Sequence, residues 1–363
     1  MTYDICRGSF IDAANHRNVA LSTYALQGFA GPLNEKLATD VAVLGLTEAE
    51  NVVVVSSGVH GVELPLGSML QCRWLGAAQE ICSTDKNVRF VFVHALNPFG
   101  AAHGLRNDQE NIDVNRNFVD FDNKPETSKS YRLLANAFSP TRLNPFALAD
   151  AWRKLLTFGL VTHSISEFKQ ALAGGQYDFP DGLYYGGNHA SWSRRTWQSI
   201  VKNHVIAPNL QNVWHVDLHT GDGPRGKMQI LVSTNAGSPL HERAKLLGDS
   251  ESVSLTQPSF AKLSGDIVDY WTRLNLPENC IVTPIAIEVG TSEFCIEGLD
   301  VLHAMITRNA LKVRYNDRHH ASAKIIQRTR EKFAPIDDNR WREGAIIQGK
   351  NFWNRLTAQV SPR

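Results

Sequence analysis

The sequence predicts an α/β protein in which helices cover both faces of a largely buried sheet. Three observations lead there. Apolar runs of strand length recur along the chain, stretches of helical periodicity lie between them, and no repeat, low-complexity tract or Ser/Pro-rich linker breaks the pattern. The first such run, Asp40–Leu46, is followed by Val52–Val55, an unbroken valine stretch of the kind found in strands buried on both sides. Helical spacing follows at Pro65–Cys82, and Val88–His94 reads as the next strand. Helices are expected at Pro145–Leu156 and Ser191–Val205, and strands at Val213–Leu218 and Ile230–Ser233. Pro239–Leu247 and Gly265–Leu274 read as helices, Ile281–Val289 as the last strand, and Glu297 to about Lys332 as a long terminal helical stretch. Between positions 174 and 188 a turn-rich segment with four aromatic rings reads as an ordered surface loop, covering a sheet edge or walling a cleft.

Composition bounds the function. The 363 residues are 43% hydrophobic and 20% charged, enough apolar content for a substantial core. Lys+Arg 37 against Asp+Glu 36 gives a net charge of +1 with no basic or acidic block, so nucleic acid and anionic membrane are not implied. No run approaches the roughly 20 apolar residues of a membrane span, and the amino terminus lacks the basic start and apolar core of a signal peptide. A cytoplasmic location is the expectation. Cys6, Cys72, Cys82, Cys280 and Cys295 form no CxxC pair and read as reduced, packed thiols. Candidate chemical residues run from position 60 to position 288, so the expectation is a single domain over 1–363, with core motifs at about 50–300 and a terminal helical extension at about 297–332.

The valine strand leads into Ser56-Ser-Gly-Val-His60-Gly-Val-Glu63, which sets an imidazole and a carboxylate three residues apart just past a strand. Residues so spaced are neighbours on a tight or helical turn and could reach one cation, zinc being suited to nitrogen and oxygen donors. His219 ends the strand Val213–Leu218 and is stopped there by Thr220-Gly221, which puts it where α/β sheets hold ligands. It is a third ligand or else a core histidine. Asp217, two residues earlier on the same strand face, could accept its other ring N–H. Glu288 is the one acidic side chain in the apolar run Ile281–Val289, either a general base or one half of a salt bridge. The polar loop from Gly104 to Phe118 carries Arg106, Asn115 and Arg116. Guanidinium pairs bidentately with carboxylate, so Arg116 with Asn115 would hold a substrate carboxylate while Arg106 faces a developing oxyanion. Pairing of these arginines with Asp108, Glu110 and Asp113 is the plain alternative.

This set, in this order, resembles the zinc carboxypeptidase superfamily, which also holds aspartoacylase and succinylglutamate desuccinylase. The phrases SSGVHGVE, HALNPFG, NIDVNRNF, DLHTG and the Tyr-Tyr-Gly-Gly loop resemble more specifically a bacterial branch built on a domain of unknown function, over positions of about 50 to 300. The resemblance implies a mixed, mostly parallel sheet with helices on both sides. It also implies one zinc per chain on His60, Glu63 and His219, Glu288 as the base, Arg106 steadying the tetrahedral intermediate, and Asn115 with Arg116 gripping the substrate's terminal carboxylate. Carboxypeptidases supply a mobile tyrosine between the second histidine and the glutamate, where this chain has only Tyr270. Tyr184 or Tyr185 could supply a phenol to the substrate instead. The expected substrate is a small peptide or an N-acyl amino acid, and a relative that binds zinc without turnover is the rival reading.

Other motifs lead nowhere. Gly221-Asp-Gly-Pro-Arg-Gly226-Lys227 approaches a P-loop but continues into Met228, where magnesium binding needs Ser or Thr. His319 and His320 read as solvent-facing, and His94 and His103 as packed histidines. A serine hydrolase on Ser56 or Ser57 with His60 lacks the GxSxG elbow.

Overall fold

A computed structural model describes residues 1–248, 252–255, 265–292 and 296–361. Among the described residues eight strands form one sheet: β1 (Ala20–Ala30), β2 (Lys36–Leu44), β3 (Asn51–Ser57), β4 (Val88–His94), β5 (Asn212–Asp222), β6 (Met228–Val232), β7 (Val253–Leu255) and β8 (Ile281–Ser292). Their spatial order is β1-β2-β4-β3-β5-β8-β6-β7. The centre is parallel, with β4, β3, β5 and β8 running one way, while the pairs β1–β2, β2–β4 and β8–β6 are antiparallel and β7 runs parallel to β6. The expected mixed, mostly parallel sheet is what forms.

Alternation along the central strands divides the core. Val53, Val55, Phe90, Phe92, Trp214 and Val216 face one way, under the helices Leu64–Thr84 and Asn339–Val360. Val52, Val54, Val91, Val93 and Val213 face the other, under the helix Trp192–His204 and the turn at Asp269–Arg273. Apolar residues on both faces require cover on both faces, which is why the central strands read as continuous Val and Phe runs. No described helix is long and apolar enough to cross a membrane.

The structure corrects several boundaries. Gly265–Leu274 is not an α-helix but a coil leading into a 3₁₀ turn at Asp269–Arg273, with the Asp269 N–H donating to Asp266 Oδ1. The terminal stretch is two helices, Ile296–Tyr315 and Ser322–Phe333, broken where Asn316 and Asp317 adopt positive φ of 44° and 62°. A further helix, Asn339–Val360, follows, and a helix at Tyr3–Asn15 precedes β1; neither was among the expected elements. The segment at 174–188 is less superficial than expected, because Gln176, Tyr177, Leu183 and Tyr185 are buried and Gln176 bridges to Tyr185. Met228 opens a strand, so the P-loop likeness ends there. Cys6, Cys72, Cys82 and Cys280 are free thiols, and Cys295 lies outside the described residues.

Candidate metal centre

Three strand ends build the site. After β3 the chain turns at Gly58, with φ +69°, and His60 leads into the 3₁₀ turn Gly61–Glu63 that opens the helix Leu64–Thr84. This turn is pinned to the loop after β4 by two backbone bonds, Gly61 N–H to the Arg106 carbonyl and Val62 N–H to the Leu105 carbonyl. A Cβ on Gly61 would stand 2.1 Å from the backbone of Gly100 and Ala101, so only glycine allows the two loops this approach. Gly100 N–H donates in turn to Asn97 Oδ1, the cap of the short helix Pro98–His103. The HALNPFG phrase is thus the shelf on which the HxxE turn rests.

β5 and β8 supply the remainder. Their parallel register sets His219 directly beside Glu288. His60 Nδ1 lies 2.9 Å from Glu63 Oε1, and His219 Nδ1 lies 3.1 Å from Glu63 Oε2 and 3.3 Å from His60 Nδ1. All three residues are buried, and their donor atoms lie within 4.8 Å of one another, a group that could hold a metal ion. The outward nitrogens face carboxylates, His219 Nε2 at 2.6 Å from Asp217 Oδ2 and His60 Nε2 at 3.4 Å from Asp113 Oδ1.

The donor set fits a cation. Two inward imidazole nitrogens 3.3 Å apart beside a buried carboxylate call for positive charge between them, supplied here by protons and equally well by a divalent ion. Two nitrogens and a carboxylate are the donors of an open zinc site, and carboxylates behind metal-bound histidines are their usual support. Electrostatics agree. Burial opposes ionisation of Glu63, but His60 and His219 overcome it and hold its carboxyl well below the usual range. Asp113 is likewise held down against burial by Arg106 and His60, and Asp217 by His219. His219 is raised well above an ordinary imidazole, because Asp217 and Glu63 outweigh burial. Glu288 moves the opposite way, pushed up to about 8 by burial and by the charge of Glu63.

These groups open onto a cavity of about 290 Å³ whose lining includes Arg106, Asn115, Arg116, Tyr184 and Glu288 along with the three candidate ligands. Arg106 donates through Nε to Asp113 Oδ2 at 3.0 Å and comes within 3.5 Å of Glu63 Oε1. Asn115 Oδ1 accepts from Ile267 N–H, and Arg116 donates to the Asn115 carbonyl. Glu288 Oε1 accepts from Asp222 N–H at 3.0 Å. Tyr184 adopts φ +56°, rare for an aromatic residue, and its ring lies 5.3 Å from the Arg106 guanidinium and 6.0 Å from that of Arg116. Tyr185 is buried outside the cavity lining, where its carbonyl accepts from Asp113 N–H. Tyr270 is partly buried and packs on Phe118 at the edge of the core. His94 is buried, stacked on Phe10 and bonded to Ser68.

Sequence reasoning missed Asp113 as the partner of His60. The signal was present two residues before the Asn-Arg pair, in the phrase Asp113-Val-Asn115-Arg116. It also passed over Asp222 and Asp266, acidic groups of the cavity wall that burial pushes above the usual carboxyl range.

Fold and site together define a mixed α/β protein with a buried His–Glu–His group at the carboxyl ends of its parallel strands. More particularly, the chain belongs to the DUF2817 family, described as a protein of unknown function, which matches residues 1–348. No curated protein matches it in sequence. Among solved structures, carboxypeptidase A from Helicoverpa armigera is similar at 12% identity and a TM-score of 0.48, over 92% of this chain and 74% of that one. Bovine thrombin-activatable fibrinolysis inhibitor, in complex with tick carboxypeptidase inhibitor, is similar at 10% identity and a TM-score of 0.47, over 99% of this chain and 98% of that one. An aspartoacylase family protein from Mesorhizobium loti is similar at 15% identity and a TM-score of 0.38, over 81% of this chain and 66% of that one.

Proposed function

We propose that the protein is a zinc-dependent, carboxypeptidase-like hydrolase of amide bonds whose substrate carries a free carboxylate. The observation that carries this reading is the parallel register that sets Glu288 beside His219, so that a base and a three-ligand metal group share one cavity with two arginines. A divalent cation on His60, Glu63 and His219 would supply Lewis-acid polarisation of the scissile carbonyl. The protein's own groups do the rest. Glu288 takes a proton from the attacking water and returns it to the leaving nitrogen, and its raised affinity for protons suits both halves of that task. Arg106, held in place by Asp113, faces the oxyanion. Asn115 and Arg116 bind the substrate carboxylate, and Tyr184 stands beside both arginines as a substrate contact.

The cavity of about 290 Å³ favours a small substrate, either the last residue of a peptide or an N-acyl amino acid. Metal analysis of purified protein followed by a hydrolysis screen over both classes tests the reading. Glu288→Gln should keep zinc and lose activity, whereas His60→Ala should lose both. Full activity in the Gln variant removes the assigned base. Equal rates on free-acid and amidated substrates remove the role given to Arg116.

A further inference from the structure

Behind His219 the hydrogen bonds continue past Asp217. Asp217 Oδ1 accepts from Ser56 Oγ at 2.5 Å, Ser56 Oγ lies 2.8 Å from His215 Nε2, and Trp271 Nε1–H donates to His215 Nδ1 at 2.8 Å. Ser56, His215 and Asp217 are wholly buried and Trp271 nearly so. Register brings them together: Ser56 on β3 pairs with Asp217 on β5, and residues 215, 217 and 219 share one face of that strand. The 3₁₀ turn Asp269–Arg273 lays the indole of Trp271 over that face.

The chain has only one consistent direction. An indole nitrogen donates and never accepts, so His215 Nδ1 is unprotonated and its ring proton sits on Nε2. That N–H donates to Ser56 Oγ, whose single proton then goes to Asp217 Oδ1. A carboxylate satisfied in this way on one oxygen accepts from His219 Nε2–H on the other, at 2.6 Å. The nitrogen of His219 left to meet a cation is Nδ1, the atom turned toward Glu63 and His60. We propose that Trp271, His215 and Ser56 are positioning residues that fix the tautomer and ring plane of His219 for metal binding, starting from an indole 56 residues beyond His215 in sequence. The proposal rests on the metal-centre reading above.

Trp197 provides an internal control. Its ring packs on the same imidazole, with centroids 4.9 Å apart, but its Nε1 is buried with no hydrogen-bond partner among the described residues. Trp271→Phe and Trp197→Phe therefore remove the same atoms from two rings that touch His215, and only the first removes a link in the chain. Zinc affinity is measured by chelator competition on each full-length variant, and the visible spectrum of the Co²⁺ form is recorded alongside. Loss of an outer partner commonly costs about 10–100-fold in metal affinity. Ser56→Ala should therefore fall about 10-fold, with Ser56→Thr restoring most of it, and Trp271→Phe should fall at least about 3-fold with a shifted Co²⁺ band. Trp197→Phe should stay within about 2-fold of wild type, as for a substitution that touches no ligand support. Equal losses in the two Trp variants overturn the proposal, as does wild-type affinity in Trp271→Phe or Ser56→Ala. If Trp271→Phe does not fold, the Ser56 pair decides by the same criteria. Wild-type protein that takes up no stoichiometric metal overturns the metal centre itself, a result distinct from a metal centre indifferent to Trp271.

Discussion

Metal binding should expel protons at a pH where free histidine has almost none to lose. In the metal-free protein His219 sits between two carboxylates, Asp217 at 2.6 Å on Nε2 and Glu63 at 3.1 Å on Nδ1, and these hold it protonated well above the ordinary imidazole range. Binding a cation through Nδ1 requires that proton to leave. An imidazole of ordinary pKa is only about 0.1 protonated at pH 7.5, whereas His219 held in this way contributes about one full proton. Glu288, raised to about 8, adds about 0.8 at the same pH, because a nearby cation stabilises its ionised form. The wild-type total is therefore about 1.8 protons per metal, against about 1 for Glu288→Gln, and Asp217→Asn should release less than wild type because only Glu63 then holds the His219 proton. Any proton lost from a water of the hydrated ion raises all three totals together, so the differences carry the test. Isothermal titration calorimetry of zinc into metal-free protein, in buffers of differing ionisation enthalpy, measures each total. A wild-type release of about 0.9 or less would refute the reasoning, since with Glu288 supplying about 0.8 it leaves His219 at an ordinary pKa. Equal release in wild type and Glu288→Gln would remove Glu288 from the field of the ion.

Three further predictions concern the scaffold. Asp108 is buried with Oδ2 unpartnered among the described residues, and burial lifts it to about 7. A carboxyl raised in the fold costs stability increasingly as pH rises from its unfolded value toward the folded one, so Asp108→Asn should stabilise by about 1–2 kcal/mol in urea unfolding at pH 8.5 and give no advantage below about pH 4. Gly61→Ala should weaken zinc binding by more than about 10-fold, because its Cβ meets backbone and must push the His60–Glu63 turn away; wild-type affinity would show that the loops can part freely. Trp353 stacks on Trp74 with centroids 4.9 Å apart and packs against Phe90 and Phe92. Its replacement by Ala should cost about 3–5 kcal/mol by chemical denaturation, and a loss under about 1 kcal/mol would count against this cluster as the centre of its face.

Legibility in the sequence followed burial. β3, β4, β5 and β8 could be read because strands covered on both sides must be apolar throughout, and the polar residues breaking those runs, His219 and Glu288, stood out for the same reason. β1 could not, since it is an edge strand exposed along most of its length and looks like loop sequence. Gly265–Leu274 misled because Ile267, Val268 and Trp271 carry helical spacing that serves packing on the sheet rather than an α-helix. The HxxE pair and the Asn-Arg pair are local and therefore visible. Asp113 beneath His60, and Ser56 beside Asp217, depend on contacts between distant segments that a linear pattern does not express.

The separation of the candidate ligands also bears on when the protein can acquire its ion. Glu63 and His219 lie 156 residues apart and become neighbours only because β5 docks alongside β3. Parallel pairing over such a distance is a slow, late event in folding, since loop closure must be met before the contacts repay it. A nascent chain emerging through His60 and Glu63 holds a bidentate fragment with little grip on a metal. Metal loading at the proposed centre would therefore follow closure of the sheet, with the ion entering a finished cradle instead of nucleating one. Chelation should accordingly strip the protein to a folded, refillable state, unlike small zinc domains whose architecture vanishes with their metal.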